Sequence, residues 1–173
     1  MKESTMKFIN KILVPTDFSD LSLAALEYAT SFAKIYDAKI YMIHVVENPT
    51  ALAFHSVDIS SETVLRDAEE EAENQLRDFI SNKLPTVKGI MPIVRRGNAS
   101  REIVHHAMEE NFDVIIMATH GRTGFAHMLM GSIAESVVRY SSVPVLTVKP
   151  EEMQNGFVDE EDVEEQLHMN HYQ

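Results

Sequence analysis

A chain of 173 residues fits one ordinary domain of about 100 to 200 residues with a short extension, which excludes a multidomain enzyme with separate substrate and cofactor lobes. Hydrophobic residues at 45% and charged residues at 24% exclude wholesale disorder, and the absence of cysteine removes disulfide scaffolds, thiol nucleophiles and cysteine-ligated metal sites. Of the net charge of -12, residues 151–173 carry eight acids with no Lys or Arg, leaving -4 on residues 1–150 and no basic stripe, so no DNA or RNA binding is expected.

The elements follow one another regularly. Residues 11–15 (KILVP) form a short aliphatic run ending in Pro15, Thr16 and Asp17; Ser19 is a candidate N-cap, and Leu23, Leu26, Ala29, Ala33 and Tyr36 recur at helical spacing. Residues 38–46 (AKIYMIHVV) read as a second strand. A polar connection through Asn48, Pro49 and Asp58 leads to Ser60 or Ser61 as a cap, after which Val64, Ala68, Ala72, Leu76 and Ile80 step by four along a long amphipathic helix. Residues 90–95 (IMPIVR) predict a third strand, in which Pro92 cannot donate a ladder hydrogen bond and implies a sheet edge. After Gly97 and Asn98 comes a helix with Ile103, Val104 and Ala107 inward. Residues 113–119 (DVIIMAT) are a continuous aliphatic strand of the kind buried under helices on both faces. A Gly-containing loop, a helix over residues 132–140 and a last strand over residues 143–148 complete the series.

Five strands, each but the last followed by a helix, predict an α/β fold: an open, doubly wound, Rossmann-like parallel sheet with helices on both faces. Residues 1–150 form this domain. Residues 151–173 are expected to be an acidic tail, disordered or forming a short docking helix through Val163 and Leu167. The longest aliphatic run lies at residues 114–118 and MKESTMKF has no apolar h-region, so neither a membrane span nor a secretory signal is expected, and the location is expected to be cytoplasmic.

In such a sheet the ligand crevice lies past the carboxyl ends of the strands where the strand order reverses, so the residues just after each strand carry the chemistry. The most informative is MATHGRTGFAHMLMGS, residues 117–132. Gly121 and Gly124 let backbone approach a ligand, and Gly131 and Ser132 open a helix whose amides form an anion site in outline. Arg122 adds a guanidinium suited to phosphate oxygens. The same glycines also read as plain turn residues, and Ser132 as a plain helix start. Walker A spacing and G-x-G-x-x-G after the first strand are both absent, which removes ordinary GTPase and dehydrogenase readings.

This pattern resembles the universal stress proteins, whose ATP-binding branch carries G-x2-G-x9-G-[ST] after the fourth strand. Here the match runs Ala118, two residues, Gly121, nine residues, Gly131 and Ser132, with alanine in place of the first glycine. KILVPTDFSDLSLAALEYA, the Ile43-His44-Val45 segment and SSVPVLTVKP extend the resemblance over residues 7–150. It implies strand order 3-2-1-4-5, with the reversal between strands one and four. It further implies that Pro15, Thr16 and Asp17 border the base and ribose and that the Val45 backbone meets the adenine edge. Met117, Ala118 and Gly121 would lie along ribose and phosphates, with Arg122, Gly131, Ser132 and Ile133 closing on the phosphates. The implied ligand is ATP, or AMP or ADP, with Mg or Mn held mainly by phosphates. The Ala118 methyl is expected to weaken binding by about 1 to 3 kcal/mol without abolishing it.

Asp17 reads equally as a ribose or metal ligand and as an Asx-type cap of the first helix. The eight histidines show no H-E-x-x-H-like ligand set, and His44 reads as a packed core histidine. Of the loop methionines, Met128 and Met130 are placed to cap a ligand or a partner surface. The last strand, with Pro144 near its start, reads as an open sheet edge, so a homodimer through residues 143–148 is expected. The leading functional reading is a stress-response protein that binds adenine nucleotide and acts as a dimeric switch or adaptor. It is not expected to be an enzyme beyond slow ATP hydrolysis, since the loop offers one Arg and no Walker lysine. The alternative is a nucleotide-independent interaction module whose dimer or acidic tail recruits partners. A PP-loop pyrophosphatase would need S-G-G-x-[DS] where PTDFSD stands, and a receiver domain an aspartate where Arg95, Arg96 and Gly97 stand.

Overall fold

Alternating buried strands and amphipathic helices give nine main elements in the computed structural model, which describes residues 8–47, 62–121 and 130–150. They are β1 (Lys11–Pro15), α1 (Ala24–Tyr36, preceded by a 3-10 turn at Asp20–Leu23), β2 (Lys39–Val46), α2 (Glu62–Lys83), β3 (Met91–Arg96), α3 (Ala99–Glu109), β4 (Val114–Ala118), α4 (Ser132–Tyr140) and β5 (Val145–Val148). Ser60, Ser61, Arg122, Gly124, Met128 and the acidic tail lie outside the described residues. The five strands form one parallel sheet in the order β3-β2-β1-β4-β5, the expected α/β architecture. Among the described residues no helix is long and apolar enough to cross a membrane.

Alternation along the strands sorts side chains onto two faces. Leu13, Ile43, Val45, Ile115 and Met117 meet Ile103, Ala107 and Val137 of α3 and α4. Ile12, Val14, Met42, Val114 and Ile116 meet Ala25, Leu26 and Ala29 of α1 and Leu76 of α2. Each fully buried aliphatic side chain contributes about 1.5 to 3 kcal/mol. The expected inward series on α2 holds at Ala72, Leu76 and Ile80 but not at Ala68, which is exposed. Met130 packs against the α3/α4 face core.

Hydrogen-bond parity along the ladders decides what the two sheet edges present. Gly97 donates to the Val46 carbonyl at 3.0 Å, so odd-numbered residues of β3 turn their backbone inward and Pro92, Val94 and Arg96 turn theirs outward. Pro92 has no outward donor to offer, as expected, and Arg95 Nη1 donates to the outward carbonyl of Val94 at 3.2 Å. On the other edge, Pro144 and Val148 accept from Ile115 of β4 and from Thr119 just past its end, so Val145 and Thr147 face outward. The last strand was expected over residues 143–148 but begins at Val145. Val143 is instead closed onto Ser141, whose Oγ accepts from the Val143 amide at 3.1 Å and donates to its carbonyl at 2.8 Å.

At the point of reversal β1 and β4 part early. They are registered only at Ile12↔Val114 and Leu13↔Ile115, whereas β1 and β2 stay paired through Pro15↔Ile43. Thr16 donates to Ile43 of β2, so by the same parity Pro15 faces β4, and its missing N–H cannot extend that ladder. A gap therefore opens between the two strands at their carboxyl ends.

Candidate nucleotide-binding crevice

The gap widens into a cavity of about 530 Å³, within the range usual for small-molecule sites. Ten of the eleven residues expected at the site line it: Pro15, Thr16, Asp17, Val45, Met117, Ala118, Gly121, Gly131, Ser132 and Ile133. The eleventh, Arg122, falls outside the described residues. The wall also includes Glu47, Thr119 and His120, which lie in the expected segments just after strands, and Ser22, His44, Ala99, Ile103 and Ala134, none of which the residue pattern had assigned to it. Ile103 was legible only as part of the inward face of a helix following the third strand; that this face, with Ala99, also reaches the crevice follows from strand order.

The β1 side is a tightly bonded turn. Asp17 Oδ1 accepts from the Ser19 amide at 3.0 Å and from Ser19 Oγ at 2.5 Å, so the Asx-type arrangement forms, with Ser19 as cap of the 3-10 turn. Ser22 Oγ donates to the Ser19 carbonyl at 2.7 Å and pairs with Thr16 Oγ1 at 2.8 Å, and Thr16 Oγ1 accepts from the Phe18 amide at 3.1 Å. His44 donates Nδ1–H to the Thr16 carbonyl at 2.9 Å, since a carbonyl only accepts, and it stacks on Phe18. This is the packed, hydrogen-bonded histidine expected, and it also forms crevice wall. Val45 follows Ile43 in parity, so its amide and carbonyl turn toward the space that β1 leaves after Thr16.

The β4 side is built on two glycines with different duties. A Cβ on Gly121 would stand 2.3 Å from Asp17 Oδ2, so the missing side chain lets the carboxylate rest against the opposite backbone. Gly131 donates its N–H to the Thr119 carbonyl at 2.8 Å, and a Cβ there would lie 3.2 Å from that same oxygen. Its amide is thus committed within the chain, and Gly131 acts as the joint that holds the end of β4 against α4. The donors left at the head of α4 are the amides of Ser132, Ile133 and Ala134, because Gly131 as N-cap supplies no side-chain bond. All three residues line the cavity. Ala118 ends β4, 8% exposed, with no left-handed backbone, so alanine fits there without strain.

Charge in the described wall is carried by Asp17 and Glu47, against the positive head of α4. No group of three or more His, Asp or Glu able to hold a metal occurs among the described residues. A second, more open groove of about 590 Å³ runs between α2 and the β3 edge; its wall holds both Arg96 and Glu69, 3.7 Å apart, and no helix N-terminus. Behind that edge, His106 of α3 is 6% exposed. Its Nδ1 accepts from Arg95 Nη2 at 3.1 Å, and its Nε2 is buried with no partner. Burial, with the Arg95 guanidinium second, lowers its pKa below the usual 6.5.

Comparison with known proteins agrees with this geometry. The model of the universal stress protein family matches residues 9–149. The chain is 34% identical to universal stress protein MJ0531 of Methanocaldococcus jannaschii, over 80% of this chain and 81% of that protein. It is 32% identical to MJ0577 of the same organism, over 80% and 94%. The solved structure of MJ0577 superposes with a TM-score of 0.69, covering 84% of this chain and 99% of that one. A universal stress protein solved in complex with cAMP superposes with a TM-score of 0.55 at 25% identity, covering 84% and 100%. With the family pattern matched from before the first strand to the end of the last, this chain belongs to the universal stress protein family.

Proposed function

We propose that the crevice between β1 and β4 binds an adenine nucleotide and that the protein works as a cytoplasmic, dimeric, nucleotide-dependent switch or adaptor rather than as an enzyme. The observation that carries this reading is the convergence of ten expected residues on one cavity, with the amides of Ser132, Ile133 and Ala134 at its phosphate end. The apolar wall of Val45, Ala99, Ile103 and Met117 suits the faces of a purine. The Val45 backbone would meet its edge. Asp17 would accept from a ribose hydroxyl, and Arg122, with Mg or Mn held mainly by the phosphates, would offset the charge of ATP, ADP or AMP. The relative in complex with cAMP supports an adenine nucleotide as the ligand class. A ligand touching both sides of the crevice favours one separation of them, which is what a switch requires.

A second reading, an interaction module that uses no nucleotide, is favoured by how much of the wall is already satisfied: Gly131 N–H is bonded to Thr119 and Asp17 Oδ1 to Ser19. Calorimetric titration of the purified protein with ATP and magnesium, AMP and cAMP separates the two. Saturable binding of at least one that weakens on Gly131→Val supports the first; no binding at millimolar concentration of any of them refutes it and leaves the second.

A further inference from the structure

Among the described residues, three that are not glycine have left-handed backbone: Asp37 at φ 55°, Asn111 at φ 54° and Phe18 at φ 66°. Asp and Asn adopt this region readily, whereas a bulky aromatic residue is strained there. Phe18 sits between Asp17 and Ser19, and its reversal brings the amide and hydroxyl of Ser19 back onto Asp17 Oδ1. Something must hold the bend against relaxation to negative φ. The Phe18 ring is gripped on two sides, by His44 at 4.1 Å between centroids and by Phe79 at 5.6 Å in an edge-on contact. His44 is itself fixed to the Thr16 carbonyl. Phe79 belongs to α2, which contributes nothing to the crevice wall among the described residues. The last turn of α2 makes a second tie to the same segment, through Lys83 Nζ and Asp20 Oδ1 at 2.7 Å.

We infer that Phe18 is a positioning residue whose ring, clamped between His44 and Phe79, holds the left-handed bend that aims the Asp17 carboxylate at Gly121, so that α2 helps set the affinity of a crevice it does not line. This rests on the nucleotide reading of that crevice. If the clamp is loosened, φ at residue 18 relaxes, the Ser19 donors leave Asp17, and the carboxylate loses its fixed direction. If residue 18 holds the bend unaided, the clamp becomes unnecessary.

The two cases are separable by combining substitutions. Phe79→Ala is expected to weaken ATP–magnesium binding about ten-fold in the native background, the scale set by a strained residue left unbraced. In the Phe18→Gly background the same substitution is expected to cost less than about two-fold, because glycine adopts the bend freely. Phe18→Asn, which tolerates the left-handed region without a ring, should bind nearly as the native chain, and Phe18→Val, β-branched, should bind worst. Thermal melts confirm that each variant is folded. The proposal is overturned if Phe79→Ala costs the same in both backgrounds, or if Phe18→Gly binds as weakly as Phe18→Val. A ligand-free readout is the Ser19 amide proton, which should be downfield-shifted and slow to exchange in the native chain and Phe18→Gly but not in Phe18→Val. Should the native chain bind no nucleotide, the functional reading falls while this amide still decides the positioning role: an unchanged signal in Phe18→Val overturns it.

Discussion

Replacing Gly131 by serine rather than alanine isolates the α4 amides as ligand donors. Either substitution adds a Cβ 3.2 Å from the Thr119 carbonyl, a tight approach to backbone that shifts the joint by a few tenths of an ångström. The φ of -68° is ordinary, so neither residue is strained by handedness. Serine alone brings an oxygen able to accept from Ile133 or Ala134 N–H, the donors that an N-cap satisfies. That cap stabilises the ligand-free protein by about 1 kcal/mol relative to alanine, which for a domain of this size raises Tm by about 2 to 4 °C. A phosphate using the same amides must displace the hydroxyl and forfeits that energy, so Gly131→Ser should bind nucleotide about five-fold more weakly than Gly131→Ala. Differential scanning calorimetry and titration calorimetry on the two variants read both numbers. The expected signature is opposite motion, with the more stable variant binding less. If serine raises Tm and leaves affinity equal to that of alanine, the phosphates do not use those amides and the argument fails.

Other expectations follow from the same geometry. Gly121→Ala forces Asp17 Oδ2 away from a Cβ only 2.3 Å distant and so turns the carboxylate from its fixed direction; the strain falls on a crevice side chain and not on the core, so titration should show lost affinity with little change in Tm. Ala118→Gly should tighten nucleotide binding by about 1 to 3 kcal/mol while lowering Tm, since glycine weakens a strand interior; unchanged affinity would mean the methyl does not meet the ligand. His106 has its pKa lowered in the folded chain, so the stability it contributes is complete above pH 6.5 and is lost as pH falls from 6.5 toward the folded value. Urea titrations from pH 7.5 to 5 should show that slope reduced in His106→Phe, and an identical slope in both proteins would refute it. If the proposed dimer forms through β5, the native chain should sediment as a dimer and Val145→Pro as a monomer, because Val145 and Thr147 are the outward-facing positions of β5; a native monomer, or a dimer that survives the substitution, would refute it.

The alternation of strands and helices was legible because parallel strands covered on both faces, such as β4, are continuous aliphatic runs, and because Gly131 and Ser132 open a helix after a loop with no apolar periodicity. Pro15 could be read as a strand end, but that its missing amide parts β1 from β4 depends on which way the residue faces, a matter of ladder parity. Gly131 was legible as a close approach, yet whether its amide serves a ligand or Thr119 is settled only by where β4 ends in space. The start of β5 was placed two residues early because Val143 looks like strand and is closed by Ser141 through a local bond. Nothing in a phenylalanine after an aspartate announces left-handed backbone. His106 did leave a trace: with Ala99, Ile103 and Ala107 it falls on the buried face of α3, and period alone could have marked it.

The unequal treatment of the sheet's two margins limits how copies of this chain can join. Arg95 and Pro92 together blunt one margin, so a neighbouring strand arriving there finds a carbonyl already occupied and an amide that does not exist. The opposite margin turns the backbone of Val145 and Thr147 outward, and in the proposed dimer two copies meeting across a twofold axis would consume both such margins at once. Each would then show the outside world only its blunted side. Accretion by strand addition would have an end-stop at two, and ribbon-like polymers would have nowhere to propagate.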